Sequence, residues 1–131
     1  MAGVTLDTGA LIAADRGDRR FFVWWKRFTR TGHVATVPAP VIAQAWRGAA
    51  CARLGQVLSG CRPVAMDASL ARQVGELCAR ADAADVVDAF VVLCAARRNE
   101  DVLTGDGEDL RRLAAHAPGV GRVVALDELP P

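Results

Sequence analysis

Residues 4–14 read V-T-L-D-T-G-A-L-I-A-A, and this stretch sets the expectation for the whole fold. Val4 to Leu6 is a short β-prone run that stops on Asp7, and Gly9 to Ala14 then has a helical character. The chain thus turns from strand to helix with a carboxylate at the junction. The same alternation continues outward. Arg19 to Thr31 places Phe21, Phe22, Trp25 and Phe28 at helical spacing, and His33 to Val37 reads as a strand. Pro40 to Gly48 reads as a helix with Pro near its start and Gly at its end, and Arg53 to Leu58 as another helical piece. Arg62 to Met66 is a predicted strand. The helix after it runs through Arg80, with Asp67 or Ser69 as its cap. Asp85 to Arg98 is the most apolar predicted helix. Val102 to Thr104 (strand), Asp109 to His116 (helix) and Arg122 to Leu126 (strand) complete the series. Such alternation predicts a three-layer α/β/α sandwich around a mainly parallel sheet, formed by residues 1–131 as a single domain.

The composition agrees with a folded chain. Of 131 residues, 52% are hydrophobic and 24% charged, and the net charge is only +1. Overall charge therefore gives no sign of a polyanionic partner, but its distribution is uneven. Arg16, Arg19, Arg20, Lys26, Arg27 and Arg30 cluster in one stretch, while acids recur near Asp7, Asp82 to Asp88 and Asp106 to Asp109. A basic rim beside an acidic pocket suits a nuclease, and a solvated helix face explains the arginines equally well. Cys51, Cys61, Cys78 and Cys94 lack C-x-x-C spacing, and His33 and His116 are far apart in sequence, so zinc binding has no support. The cysteines read as reduced core thiols. The first residues lack a secretory signal pattern, and the apolar run Ala89 to Ala96 is too short to span a bilayer. The expectation is a cytoplasmic protein without a membrane segment.

The carboxylates carry the functional reading. In a parallel sheet, sites gather beyond the carboxyl ends of the strands, and Asp7 and Asp106 each follow a predicted strand. Asp85 and Asp88 are three apart, hence on one face of a helix. Asp88 is flanked by Val86, Val87, Ala89, Phe90, Val91, Val92 and Leu93. A carboxylate on so apolar a helix is costly without a partner. Converging aspartates with no lysine beside them suit a hard divalent cation, Mg²⁺ or Mn²⁺. Structural alternatives stand beside this. Asp85 is also a helix cap, Asp109 either caps the last helix or supports the metal site, and Asp7 and Asp106 are also turn residues. Asp82 reads as a loop residue, and Asp101 and Glu108 as solvated.

Four segments, V-T-L-D-T-G-A-L-I-A at 4–13, P-A-P-V-I-A-Q-A-W-R-G at 38–48, D-V-V-D-A-F at 85–90 and V-L-T-G-D-G-E-D-L at 102–110, resemble the PIN-domain nucleases. The likeness is to the VapC-type toxins of bacterial toxin–antitoxin pairs in particular. It covers nearly the whole chain and rests on the order and spacing of the segments. It implies a PIN-like fold and a metal-dependent endoribonuclease that leaves a 5′-phosphate and a 3′-hydroxyl. It implies that Asp7, Asp88 and Asp106 are metal ligands or hold its water, with Asp85 and Asp109 as further members. It also implies a VapB-type antitoxin and a homodimer. One position departs from the pattern: where such proteins carry a glutamate after the second strand, this chain has Gln44. A neutral amide binds a cation less strongly than a carboxylate, so a second reading is a binding module with weak or no catalysis.

Two rival classes fare worse. L-D-T-G-A looks like an aspartic-protease segment, but that fold is β-rich and this chain is rich in helix patterns. There is no phosphate-loop glycine–lysine motif and no G-x-G-x-x-G. Thr8 and Thr104 are candidates to orient ligands or water. Arg16, Arg19 and Arg20 are candidates for RNA phosphate contacts. In F-F-V-W-W at 21–25, Phe21 and Trp25, together with Phe28, are expected to face the core. Trp24 then points elsewhere as a partner surface, with Trp46 beside it.

Overall fold

A computed structural model describes residues 3–48 and 51–131. Five strands, β1 (Val4–Leu6), β2 (Ala35–Pro38), β3 (Cys61–Val64), β4 (Asp101–Thr104) and β5 (Val123–Ala125), form one sheet in the order β3-β2-β1-β4-β5. Every neighbouring pair is parallel, so the sheet is wholly and not merely mainly parallel. The helices are α1 (Thr8–Asp15), α2 (Arg19–Arg30), α3 (Ala39–Ala45), α4 (Ala52–Ser59), α5 (Ala68–Ala81), α6 (Val86–Arg98) and α7 (Glu108–Ala114). They form two groups. In the first, α1 packs on α2, α3 and α4; in the second, α5, α6 and α7 pack on one another. This gives the α/β/α sandwich expected from the alternation.

Burial explains the arrangement. All three residues of β1 are buried because the strand is central and covered on both faces. Helix α6 buries Ala89, Phe90, Val91, Val92, Cys94 and Ala95. A fully buried Phe90 alone contributes about 1.5–3 kcal/mol from removing its apolar surface from water. Helix α2 is amphipathic, burying Phe21 and Phe28 while leaving Arg19, Arg27 and Arg30 exposed. Aspartates start the helices. Asp18 accepts from Phe21 N–H at 2.9 Å and Asp67 from Leu70 N–H at 2.8 Å. Asp82 (φ 50°) and Asn99 (φ 54°) end α5 and α6 in the left-handed conformation that such short polar residues tolerate.

Several boundaries differ from the sequence expectation. The helix expected to reach Gly48 ends at Ala45, because Trp46 is already extended (ψ 126°). The second strand begins at Ala35, not His33, and runs into Pro38, whose ring closes it and opens α3. The third strand stops at Val64, and the last helix spans Glu108–Ala114 with Gly107, not Asp109, before it. Trp25 faces the core but is only half-buried, with its ring centroid 5.9 Å from that of Phe21. Trp24 does not point elsewhere: it is also half-buried against the core and lies over Phe28 with ring centroids 4.8 Å apart. Of the cysteines, all free, Cys51 and Cys94 are buried but Cys61 and Cys78 are only half-buried. Asp101 is not solvated: its carboxylate accepts from the Arg122 backbone N–H at 2.7 Å and fixes the entry to β5. No helix among the described residues is long and apolar enough to cross a membrane.

Candidate active site

The sheet reverses its winding at β1. The chain moves outward from β1 to β2 and β3, then returns to place β4 on the other side of β1. The carboxyl ends of β1 and β4 therefore flank the crevice where ligands collect in open α/β sheets. Asp7 lies there. Its backbone N–H extends the β1–β4 ladder to Leu103 O at 3.0 Å, and its carbonyl receives the Ala10 and Leu11 N–H groups that start α1. The residue is 7% exposed.

The Asp7 carboxylate is only half satisfied. Oδ2 accepts from the Thr104 hydroxyl at 2.8 Å, whereas Oδ1 is buried without a hydrogen bond of sound geometry. Burial raises the carboxyl pKa above its ordinary value, and Asp85 raises it further. The Thr104 hydroxyl and the nearby Thr8 backbone amide act the other way. An unpaired buried carboxylate oxygen is expensive in an isolated protein.

Asp88 reaches the same place from the opposite layer. It sits in the first turn of α6, where the helix N-terminus favours negative charge. Its carboxyl is nevertheless pushed up to about 6, first by burial and then by the charges of Asp7, Asp85 and Asp109. Asp85 caps α6, with Oδ1 accepting from Val87 and Asp88 N–H at 3.0 Å each. Asp109, exposed in the first turn of α7, joins the group electrostatically.

Asp106 follows β4, two residues after Thr104. It is exposed in the β4–α7 turn, and its Oδ1 accepts from Glu108 N–H at 3.2 Å. Its link to the pocket is through Thr104, whose hydroxyl oxygen receives the Asp106 backbone N–H at 3.2 Å. Gln44 does lie beside the site: its Oε1 accepts from the Thr8 hydroxyl at 2.5 Å, which holds α3 against the start of α1. Asp82 ends α5, and Glu108 is exposed, as expected of both.

Gly9 and Gly105, beside these carboxylates in sequence, also build the site. A Cβ on Gly9 would lie 2.6 Å from Gly105 N and 2.8 Å from its Cα. The two turns bearing Asp7 and Asp106 thus touch backbone to backbone, and only glycine permits it. The signal was present in D-T-G and T-G-D-G, but the contact partner of each glycine is a tertiary fact.

The donor chemistry fits a hard divalent cation. It is all oxygen, it carries excess negative charge, and it includes a buried oxygen with no partner. Among the described residues, however, no three acidic, histidine or cysteine side chains are grouped closely enough to hold one ion. Asp7 and Asp88 would hold such an ion, with Asp85 and Asp109 adding charge around Asp88. The carboxylates line none of the surface cavities near α2, α4 and β5.

Comparison with known proteins agrees with this architecture. The family model described as the PIN domain matches residues 4–116. The crystal structure of PAE2754 from Pyrobaculum aerophilum superposes with a TM-score of 0.61, covering 91% of this chain and 82% of that one at 17% identity. The likeness at that identity is one of fold. No match was found among curated proteins.

Proposed function

We propose, from the premise that this chain belongs to the PIN-domain family of metal-dependent nucleases, that it is an Mg²⁺- or Mn²⁺-dependent endoribonuclease. The observation that carries this reading is the half-satisfied Asp7 carboxylate in electrostatic contact with a second acid, Asp88, whose charge is disfavoured by burial and by Asp7, Asp85 and Asp109. When bound, a divalent cation activates water and offsets the charge that develops on the phosphate. Asp7 and Asp88 would hold it. Thr104 orients the Asp7 carboxylate, and Asp85 and Asp109 supply surrounding negative charge. Asp106 acts at the rim of the crevice, in the turn that Thr104 braces. Water adds across the P–O3′ bond: its oxygen joins phosphorus, and a proton goes to the departing 3′ oxygen. The products are a 5′-phosphate and a 3′-hydroxyl.

Purified protein with Mn²⁺ and cellular RNA tests this directly. Asp7→Asn and Asp88→Asn should each reduce cleavage by about two orders of magnitude, the scale on which electrostatic stabilisation of a transition state acts. Equal cleavage by wild type and both variants would overturn the reading.

The finer role we infer is that of a VapC-type toxin, working in the cytoplasm as a homodimer and restrained by a VapB-type antitoxin. The half-buried Trp24 on α2 and the 42% exposed Trp46 supply apolar surface for such a partner. A second reading, a PIN-like module with weak catalysis, is favoured by Gln44, whose amide oxygen already accepts the Thr8 hydroxyl and brings no charge.

A further inference from the structure

A cavity of about 480 Å³ lies between the end of α1, the first turns of α2 and the helix α4. Arg16, Gly17, Phe22, Trp25, Arg53 and Gln56 border it. Arg16 follows α1 directly, and both it and Arg53 are exposed. Neither guanidinium takes part in an ion pair among the described residues, where the pairs are Arg111–Glu128 and Arg122–Asp101. Asp15 and Asp18 flank Arg16 in the chain, but among the described residues neither carboxylate comes within 4.0 Å of the Arg16 or Arg53 guanidinium. Asp18 spends its Oδ1 on Phe21 N–H, and Asp15 offers Arg53 its main-chain oxygen at 3.4 Å.

Gly17 shapes the cavity. It has φ +72°, and a Cβ there would lie 2.7 Å from an Arg53 guanidinium nitrogen. The guanidinium therefore lies directly over bare backbone, held near the cavity without a carboxylate to neutralise it. Two like charges bordering one cavity, with no acid pairing either, attract an anion. Aromatic faces and an amide beside them add what a nucleobase uses: Phe22 and Trp25 for stacking, Gln56 for a base edge. A peptide would have to bring carboxylates to the same arginines, whereas a nucleic acid strand meets the charge and the rings with one repeating unit.

The position suits a strand that also reaches the carboxylates. Helix α1 starts at Thr8, next to Asp7, and Arg16 follows its last residue. At a rise of 1.5 Å per residue, the two ends are ~12 Å apart. We propose that this cavity is a secondary RNA-binding site, in which Arg16 and Arg53 hold a backbone phosphate and Trp25 stacks a base, a few nucleotides from the bond that is cut. The proposal rests on the ribonuclease reading for its ligand, and on the cavity alone for its place.

Binding of a fluorescein-labelled single-stranded RNA to the full chain in EDTA, read by anisotropy over a salt series, tests it without cleavage. Arg16→Ala and Arg53→Ala should each weaken binding by about fivefold or more, and each should reduce the slope of log affinity against log salt by about 0.7. Arg53→Lys should keep the salt slope while losing part of the affinity. RNA should quench tryptophan fluorescence in wild type and less so in Trp25→Phe. Unchanged affinity and slope in both alanine variants overturn the site. So does unchanged RNA binding with weakened binding of a purified antitoxin, which assigns the cavity to a protein partner. The two readings separate cleanly. Arginine-dependent RNA binding without metal-dependent cleavage leaves this site standing and removes the catalytic reading. Cleavage with arginine-independent binding does the reverse.

Discussion

The Thr104 hydroxyl donates to Asp7 Oδ2 at 2.8 Å across the β1–β4 boundary, and the other Asp7 oxygen has no such partner. This bond orients a buried carboxylate at the crevice where the sheet reverses its winding. Groups that orient a metal ligand typically change metal affinity or activity by about 10–100-fold when removed. Thr104→Val should therefore weaken Mn²⁺ binding by about that factor, measured by calorimetric titration, while Thr104→Ser restores most of it. Wild-type affinity in the valine variant would show that Asp7 is oriented by other means.

Asp88 makes the metal-free protein sensitive to acid in an unusual direction. Its carboxyl is pushed up to about 6 by burial and by Asp7, Asp85 and Asp109, and the unfolded value is about 3.9. The folded state thus holds the proton more tightly. Its contribution to stability is intact below pH ~4 and is lost as pH rises through ~6. Asp7 is shifted in the same direction. Urea midpoints in EDTA should fall between pH 4 and pH 7, and Asp88→Asn should flatten that fall. Added Mn²⁺ should raise the midpoint at pH 7 in wild type more than in the variant.

The Gly9–Gly105 contact predicts a site that tolerates no side chain. With Gly105 N only 2.6 Å from the added carbon, Gly9→Ala must push the β4–α7 turn away from α1. Overpacking of this kind costs about 1–3 kcal/mol, which urea unfolding will register. Cleavage should fall further than stability alone explains, because Asp7 and the Asp106 turn separate. An alanine variant with wild-type stability and activity would contradict the close approach.

Gln44→Glu separates a weakened enzyme from an ordinary one. A carboxylate at this position faces the Thr8 hydroxyl and adds negative charge to a pocket already rich in it. The variant should bind Mn²⁺ more tightly and cleave RNA faster than wild type, while its metal-free form becomes less stable. No change in metal affinity would indicate that residue 44 lies outside the ion's reach.

The layered fold was legible because its cues are local. Strand-prone runs such as Val4–Leu6, helix spacing such as Phe21 to Phe28, and aspartate caps each act within a few residues of the chain. Boundaries were less legible where two neighbours compete: Trp46 leaves the helix two residues before Gly48, and Pro38 serves both β2 and α3. Helix spacing turned Trp25 to the core but could not show that it stays half-buried or that Trp24 lies over Phe28, because spacing gives a face and not the depth of what covers it. At the site, the sequence pointed to the acids but could not rank them. Asp85 caps α6 and also raises the Asp88 pKa, and only the second effect depends on where the fold places its charge.

By itself, then, the chain determined which segments would be strands and helices and which carboxylates would stand at strand ends and helix starts, since hydrophobic period and capping chemistry are short-range properties. Only the tertiary structure decided that Asp85 bears on Asp7, and that Asp7, Asp85 and Asp109 bear on Asp88, while Asp106 turns to the backbone of its own loop. Electrostatic coupling and burial depend on distances between residues remote in sequence, and those are set by strand order, helix packing and the bare contact of Gly9 with Gly105.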